Sequence, residues 1–387
     1  MGQAYCEGAV GFGCFVTAPR LAPQRAAPPG MEWFPLAPPA QGEAVEFVEG
    51  LQWIRLPVPG YLDHINVWLL PAADGGWWLV DTGLGLPAVR EAWEPLLTRY
   101  GLAKSLRGIL VTHHHPDHFG MAGWLAQCCG VSVTMSTAAF AAGTRQFHNL
   151  HMDRIAPFTE RWGVDYPRLV QDARARHVFR SVVGELPPLA EPLEDHGQFT
   201  ATQLPLQISL HDGHAEGHAC LHAEAAGLFI AGDELLPTIS SNVSLYPQGG
   251  LQDPMGAHLA SLRRLRALPA EVLVLPAHGR PFHGAQARLD LLEAEHDERF
   301  SQLMEFASVP RSAVDLANCL FGHRPLEGMN LLLAMGETLA HLQYLLGTGA
   351  LLPVAASAEA SASAPVGCLS SYQLPEAVPY FIRPQRA

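Results

Sequence analysis

The amino-acid sequence predicts an α/β fold, and three observations carry that reading. Between residues 44 and 285, short apolar and β-branched runs alternate with segments of helical apolar spacing. Several of the apolar runs end abruptly on His or Asp, so strand ends deliver chemistry-bearing side chains to one place. Beyond about residue 286 the strand-like runs give way to helical spacing, which predicts a second, smaller domain.

Taken in order, residues 1–43 are rich in Gly, Ala and Pro without any period, and are expected to be disordered. They lack the basic start and apolar core of a secretory signal. Met1-Gly2 would suit N-myristoylation, but Cys6 stands where Ser or Thr is required. Met31 is an alternative start. Val45 to Leu56 and Ile65 to Leu70 read as strands. Trp77 to Val80 is another, ending in Asp81-Thr82-Gly83. Pro87 to Tyr100 reads as a helix and Arg107 to Thr112 as a strand. Met121 to Cys129 (helix) and Val131 to Met135 (strand) follow. Residues 138–200 form a long interval with helical pieces at Thr159 to Trp162 and Tyr166 to Val178. Leu228 to Ala231 is a strand ending in Gly232-Asp233; Ala257 to Leu268 is a helix. Val272 to Leu275 is a strand ending in Pro276-Ala277-His278-Gly279. Helices are expected at Arg288 to Phe306, Ser312 to Leu320 and Asn330 to Leu346. An Ala/Ser linker (Ala355 to Pro365) and a tail without predicted order close the chain.

Composition narrows the function classes. The chain has 387 residues, 48% hydrophobic and 16% charged, an ordinary globular balance with ample core for one or two domains. No apolar run approaches the roughly 20 residues that span a bilayer, so neither a membrane span nor a membrane partner is expected, and the location is expected to be cytoplasmic. A formal charge of -13 disfavours broad contact with nucleic-acid phosphates. Seven scattered cysteines fit neither a disulfide framework nor a Cys-x-x-Cys zinc site and read as reduced thiols. Lys104 is the sole lysine, a bias with no mechanism attached.

The densest chemistry lies at Thr112-His113-His114-His115-Pro116-Asp117-His118. His113 and His115, two apart in an extended segment, point the same way, and His114 points elsewhere. Pro116 stops the strand, so Asp117 and His118 fall on the turn into the next helix. Imidazole with carboxylate suits Zn, Fe or Mn. A second dense stretch is His211 to Cys220, and Asp233 ends a buried strand, where an unpaired carboxylate is expensive.

The His-x-His-x-Asp-His loop resembles that of the metallo-β-lactamase fold superfamily. Four further places match in the expected order: Asp81-Thr82-Gly83, Gly213-His214, Gly232-Asp233 and Pro276-Ala277-His278-Gly279. The resemblance covers roughly residues 45–285. It implies a four-layer αββα sandwich at residues 44–285, with residues 138–200 as a lid or pocket wall whose Arg145 and His148 would meet an anionic group. Residues 286–353 resemble a small helical, winged-helix-like domain, leaving 354–387 as linker and tail. The domain carries four arginines against nine acidic residues, which argues against DNA binding and for packing, pocket closure or a homodimer contact.

Residue by residue, the resemblance implies that His113, His115 and His214 hold one metal ion and that Asp117, His118 and His278 hold a second. Asp233 would bridge them. Both are expected to be divalent, zinc first, with iron or manganese as alternatives. Asp81 would orient the metal loop, His218 would have a hydrogen-bonding role, and Asp117 would orient the attacking water and accept its proton. The implied activity is hydrolysis of a small-molecule thioester or related ester, resembling hydroxyacylglutathione hydrolase. A lactonase, a phosphodiesterase or endoribonuclease, and an iron-dependent persulfide dioxygenase are the alternatives. Asp233 stands where β-lactamases proper place Cys, and His115 where flavo-di-iron proteins place Glu; both readings are disfavoured.

Overall fold

The structure, a computed structural model, describes residues 26–147, 152–172, 183, 189–322, 326–354 and 379–384. The expected disorder of residues 1–25 and the Ala/Ser linker lie outside the described residues. Ordered structure begins earlier than expected. Glu32–Trp33 (β1) pairs antiparallel with Phe282–His283 (β13), a two-residue edge strand that its Pro-rich flanks hid from the hydrophobic pattern.

Six strands build one sheet in chain order: β2 (Ala44–Glu46), β3 (Gln52–Pro57), β4 (His64–Pro71), β5 (Trp77–Val80), β6 (Leu106–Leu110) and β7 (Val133–Thr134). The expected run from Val45 to Leu56 folds as a hairpin, turned at Glu49 and Gly50, whose φ values are 54° and 76°. The second sheet runs β1-β13-β12-β11-β10-β9-β8, with β8 (Gln198–Phe199), β9 (Leu206–His211), β10 (His218–Ala223), β11 (Leu228–Gly232) and β12 (Leu273–Pro276). The two sheets pack face to face. Trp53, Trp68, Val80 and Leu110 from the first meet Ile208, Leu221, Ile230 and Leu275 from the second in one buried cluster. Period-2 alternation sends the intervening residues outward. Ile54, Val67 and Ile109 bury against Val89, Trp93 and Leu125 of two helices, Pro87–Arg99 and Ala122–Cys129. On the other side, Phe229 and Val274 bury against Met255 and Leu262 of the helix Pro254–Leu265. The result is the four-layer αββα sandwich.

Connectivity explains where the chemistry collects. β5 and β6 are parallel neighbours, as are β11 and β12, so their carboxyl ends emerge side by side at one edge. In open α/β sheets ligands bind outside those ends. Asp81, the His113–His118 loop, Asp233 and His278 all follow directly from these four strands.

In the 138–200 interval the helices are Thr137–Phe147, Met152–Trp162 and Tyr166–Asp172. The middle one begins seven residues before the expected Thr159 and continues through Pro157. Its strong amphipathic spacing buries Ile155 and Trp162 and outweighs one lost backbone bond.

The C-terminal part holds three helices, Ala285–Phe306, Ala313–Phe321 and Gly328–Gly347, and a three-stranded sheet. A reciprocal Ser312/Asp315 capping box starts the second helix. The sheet order is β14 (Arg311–Ser312), β16 (Tyr380–Ile382), β15 (Leu352–Val354). Its central strand comes from the C-terminal tail, for which the sequence predicts no order. Three residues are too few to show a period, and Phe381 is buried only because partners wait on both sides.

Candidate metal centre

β6 runs out at Leu110, and Pro116 opens the one-turn helix Pro116–Phe119 with His115 in extended conformation before it. This strand–loop–helix turn brings two groups of side chains together with the later loops. Ligand atoms of His113, His115, His214 and Asp233 lie within 4.8 Å of one another, as do those of Asp117, His118 and His278. Asp233 stands between the groups. Its Oδ2 is 3.3 Å from His214 Nε2 and 4.0 Å from His113 Nε2. Its Oδ1 is 3.4 Å from His118 Nε2 and 3.5 Å from His278 Nε2. Asp117 Oδ2 lies 3.2 Å from His278 Nε2.

Backbone and carboxylate acceptors orient the rings. His278 Nδ1 donates to the carbonyl of His64 (2.6 Å) and His214 Nδ1 to the carbonyl of Asn242 (2.8 Å). A carbonyl only accepts, so in both rings Nδ1 carries a proton and Nε2 is the atom turned to the focus. His118 Nδ1 lies 2.7 Å from Asp81 Oδ2, and Asp81 also accepts from the Thr112 amide and hydroxyl. Asp81 holds φ at 61°, a left-handed conformation that Asp tolerates better than most residues and that turns its carboxylate back under the loop. His218 lies behind the centre. Burial holds its pKa well below the ordinary value, and its neutral Nε2 accepts from the Asp233 amide at 3.1 Å.

Burial, reinforced by neighbouring imidazoles, likewise holds His113 and His115 well below the ordinary histidine pKa, so they present neutral rings. Burial works against the charge of Asp233, but His118 and His278 outweigh it and keep the carboxylate ionised. For His118 burial is overcome by Asp81, Asp233 and Asp117, which pull its pKa up. The focus therefore sets neutral imidazoles at His113 and His115 beside carboxylates whose negative potential favours a cation, and the same carboxylates raise His118 and His278. Three of its buried atoms, His118 Nε2, His278 Nε2 and Asp233 Oδ1, have no hydrogen-bond partner. Buried polar atoms seldom stay unpaired, and a cation is a partner that nitrogen lone pairs and carboxylate oxygens share. The residues present fit divalent metal ions.

Other expected site residues divide. The Nη2 of Arg145 donates to Glu216 Oε2 at 2.5 Å, and Glu216 Oε1 accepts from the Gly250 amide. Arg145 is thus paired with an internal carboxylate. His148 lies outside the described residues. His211 is buried, with its ring beside Ser209. His114 turns away from the focus, as its position in the strand predicted, and burial lowers it to about 3.

The sequence reading passed over several residues that support the centre. His64 contributes the carbonyl under His278, and its ring accepts from the Gly279 amide. Fully buried Glu234, pushed up to about 8 by burial with Asp212 and Asp233, faces His258 Nδ1 at 3.9 Å. Asn242 acts through its backbone. None belongs to a spaced motif; the fully apolar neighbours of His64 in β4 were the one available signal.

Comparison with known proteins agrees with this geometry. The family model described as metallo-beta-lactamase superfamily matches residues 60–278. One described as metallo-beta-lactamase-like, C-terminal domain, matches residues 300–357. The chain belongs to the metallo-beta-lactamase superfamily, and within it is a metal-dependent hydrolase with an added C-terminal domain. A crystal structure of a beta-lactamase domain protein from Burkholderia ambifaria is similar over 92% of this chain and 98% of its own, with a TM-score of 0.77 and 31% identity. A probable metallo-hydrolase, YqjP, of Bacillus subtilis (strain 168) is 25% identical over 305 residues, 76% of this chain and 91% of that one. A hydroxyacylglutathione hydrolase of Hahella chejuensis (strain KCTC 2396) is 42% identical over only 65 residues, 17% of this chain and 22% of its own.

Proposed function

We propose that the chain holds two divalent metal ions, zinc first with iron or manganese also suited to the donors, and hydrolyses a thioester or related ester of a small molecule. One observation carries the binuclear reading: the two carboxylate oxygens of Asp233 face the two ligand groups separately. His113, His115 and His214 would hold one ion, and Asp117, His118 and His278 the other, with Asp233 shared. Bound there, divalent ions lower the pKa of water toward neutrality and polarise a carbonyl. Asp117 would orient the attacking water and take up its proton. Asp81 fixes the His118 ring, and His218 holds the Asp233 backbone in place. The Arg145–Glu216 pair fastens the lid helix to the loop that carries His214.

Three features support the thioester class. The Thr112-His113-His114-His115 opening and the complete Asp/His set resemble that group, and the local similarity to the Hahella enzyme points the same way. The acidic balance of the C-terminal domain works against RNA.

The test combines metal analysis with turnover of S-lactoylglutathione, an acyl-homoserine lactone and a bis-phenyl phosphate ester. Two ions per chain and thioester turnover that disappears on chelation, in His113→Ala and in Asp233→Ala are expected. Turnover that survives chelation refutes the reading. A single iron with oxygen consumption would replace it with the dioxygenase.

A further inference from the structure

The loop between Asp233 and Tyr246 forms neither helix nor strand, yet it is held at closely spaced points by the C-terminal helices. From the helix Ala285–Phe306, buried Arg288 donates to the carbonyls of Leu236 (Nε, 2.5 Å) and Ile239 (Nη2, 2.7 Å). Glu295 Oε1 accepts from Ser240 Oγ at 3.2 Å. From the helix Gly328–Gly347, Glu337 Oε2 accepts from Asn242 Nδ2 at 3.3 Å, and the Gly336 carbonyl accepts from the Leu245 amide at 3.0 Å. Gly336 is glycine for contact, since a Cβ there would lie 2.6 Å from the Tyr246 ring and 2.8 Å from Ser244 Oγ. Arg299 pairs with both Glu337 and Glu295, so the two helices present one braced unit.

The same loop touches the metal centre with its other side. The Asn242 carbonyl is the acceptor under His214, and Ser241 Oγ donates to the Asp233 carbonyl. A metal-binding histidine depends on the group that fixes its second nitrogen. We infer that the C-terminal helical domain is a positioning scaffold for the metal centre, setting the aim of His214 through Glu337 and Asn242. The inference rests on the binuclear reading above. Its anchors are polar and directional, converging on residues 236–245, whereas simple domain packing requires only the apolar contacts already made by Leu331, Met335 and Leu339. Glu337 is a positioning residue; it touches neither ligand group.

The full-length protein tests this by competition with a chromophoric chelator for zinc, which yields two dissociation constants, with melting of the metal-free chain as a folding control. Glu337→Ala removes the acceptor. Asn242→Asp sets two carboxylates against each other, and adding Glu337→Gln supplies a donor that restores the bond. Glu337→Ala and Asn242→Asp are expected to weaken one constant by roughly tenfold or more and leave the other in place. The Asn242→Asp/Glu337→Gln pair is expected to recover it. Should Glu337→Ala fail to fold, the Asn242→Asp variant and its rescue decide alone. Folded variants with both constants unchanged, or both weakened in parallel without rescue, overturn the inference. Wild-type protein taking up fewer than two ions refutes the binuclear reading and the inference with it.

Discussion

Asp81→Asn changes one atom and isolates how a tautomer is controlled. Asp81 is buried, with Oδ1 accepting from the Thr112 amide at 2.8 Å and Oδ2 facing His118 Nδ1 at 2.7 Å. Asn keeps the volume and tolerates the positive φ almost as well, so backbone strain does not confound the result. The Thr112 amide can only donate, which forces the remaining Asn oxygen toward it and the new NH2 toward His118. Two donors would then oppose each other. The neutral ring that a metal ion requires then favours its proton on Nε2, the atom 3.4 Å from Asp233 Oδ1, and has no lone pair to offer the centre. Loss of the charge-assisted bond costs on the order of 1.5–3 kcal/mol, a large part of a typical 5–15 kcal/mol stability but survivable. Metal affinity of the Asp117/His118/His278 group is expected to fall about 10–100-fold, the usual range when such a partner is lost. Chelator competition and a urea titration of the metal-free protein read the two effects separately. Asp81→Asn with unchanged affinity at both sites would refute the tautomer argument.

Three other outcomes follow from the same geometry. Asp233→Ala is expected to release both ions, whereas His278→Ala releases one, and metal analysis after dialysis separates them; equal losses would remove Asp233 from its bridging place. Arg145→Ala is expected to raise KM alike for anionic and neutral thioesters, because Glu216 already neutralises the guanidinium; a selective loss for the anionic substrate would restore a direct role in binding. Burial, with Arg299 nearby, lowers His296 to about 4, and burial lowers His341 to about 3, both below the ordinary 6.5. As pH falls below about 6.5 the unfolded chain takes up these protons and the folded chain does not. Stability present above that pH is then lost toward pH 4, at about 1.4 kcal/mol per pH unit for each histidine within its window. A urea midpoint of the metal-free protein that stays flat between pH 7 and 5 would contradict this.

Much of the centre was legible because its residues cluster in short motifs. His113, His115, Asp117 and His118 share one strand–turn–helix unit whose local geometry decides which side chains converge, and Asp81, His214, Asp233 and His278 sit at strand ends or beside glycine. The α/β class followed from alternating apolar runs, and the four-layer sandwich was what the resemblance carried by those motifs implied. Edge and closing strands did not. Glu32–Trp33 and Tyr380–Ile382 have two and three residues, too short to show a period, and their order comes from partners distant in sequence.

Sequence alone did not show the partner of Arg145 or the residues that aim the ligands. An arginine near a pocket reads as an anion receptor until its neighbours are known, and Glu216 lies on a different loop. Asn242 and His64 act through backbone carbonyls, which every residue possesses and no side-chain pattern reports. Local chemistry thus determined which side chains can meet a metal ion, because strand ends and tight turns fix direction over a few residues. Which nitrogen each histidine presents, which charges are already neutralised and what the C-terminal helices hold were decided by long-range packing, since only the folded chain sets an acceptor beside a given donor.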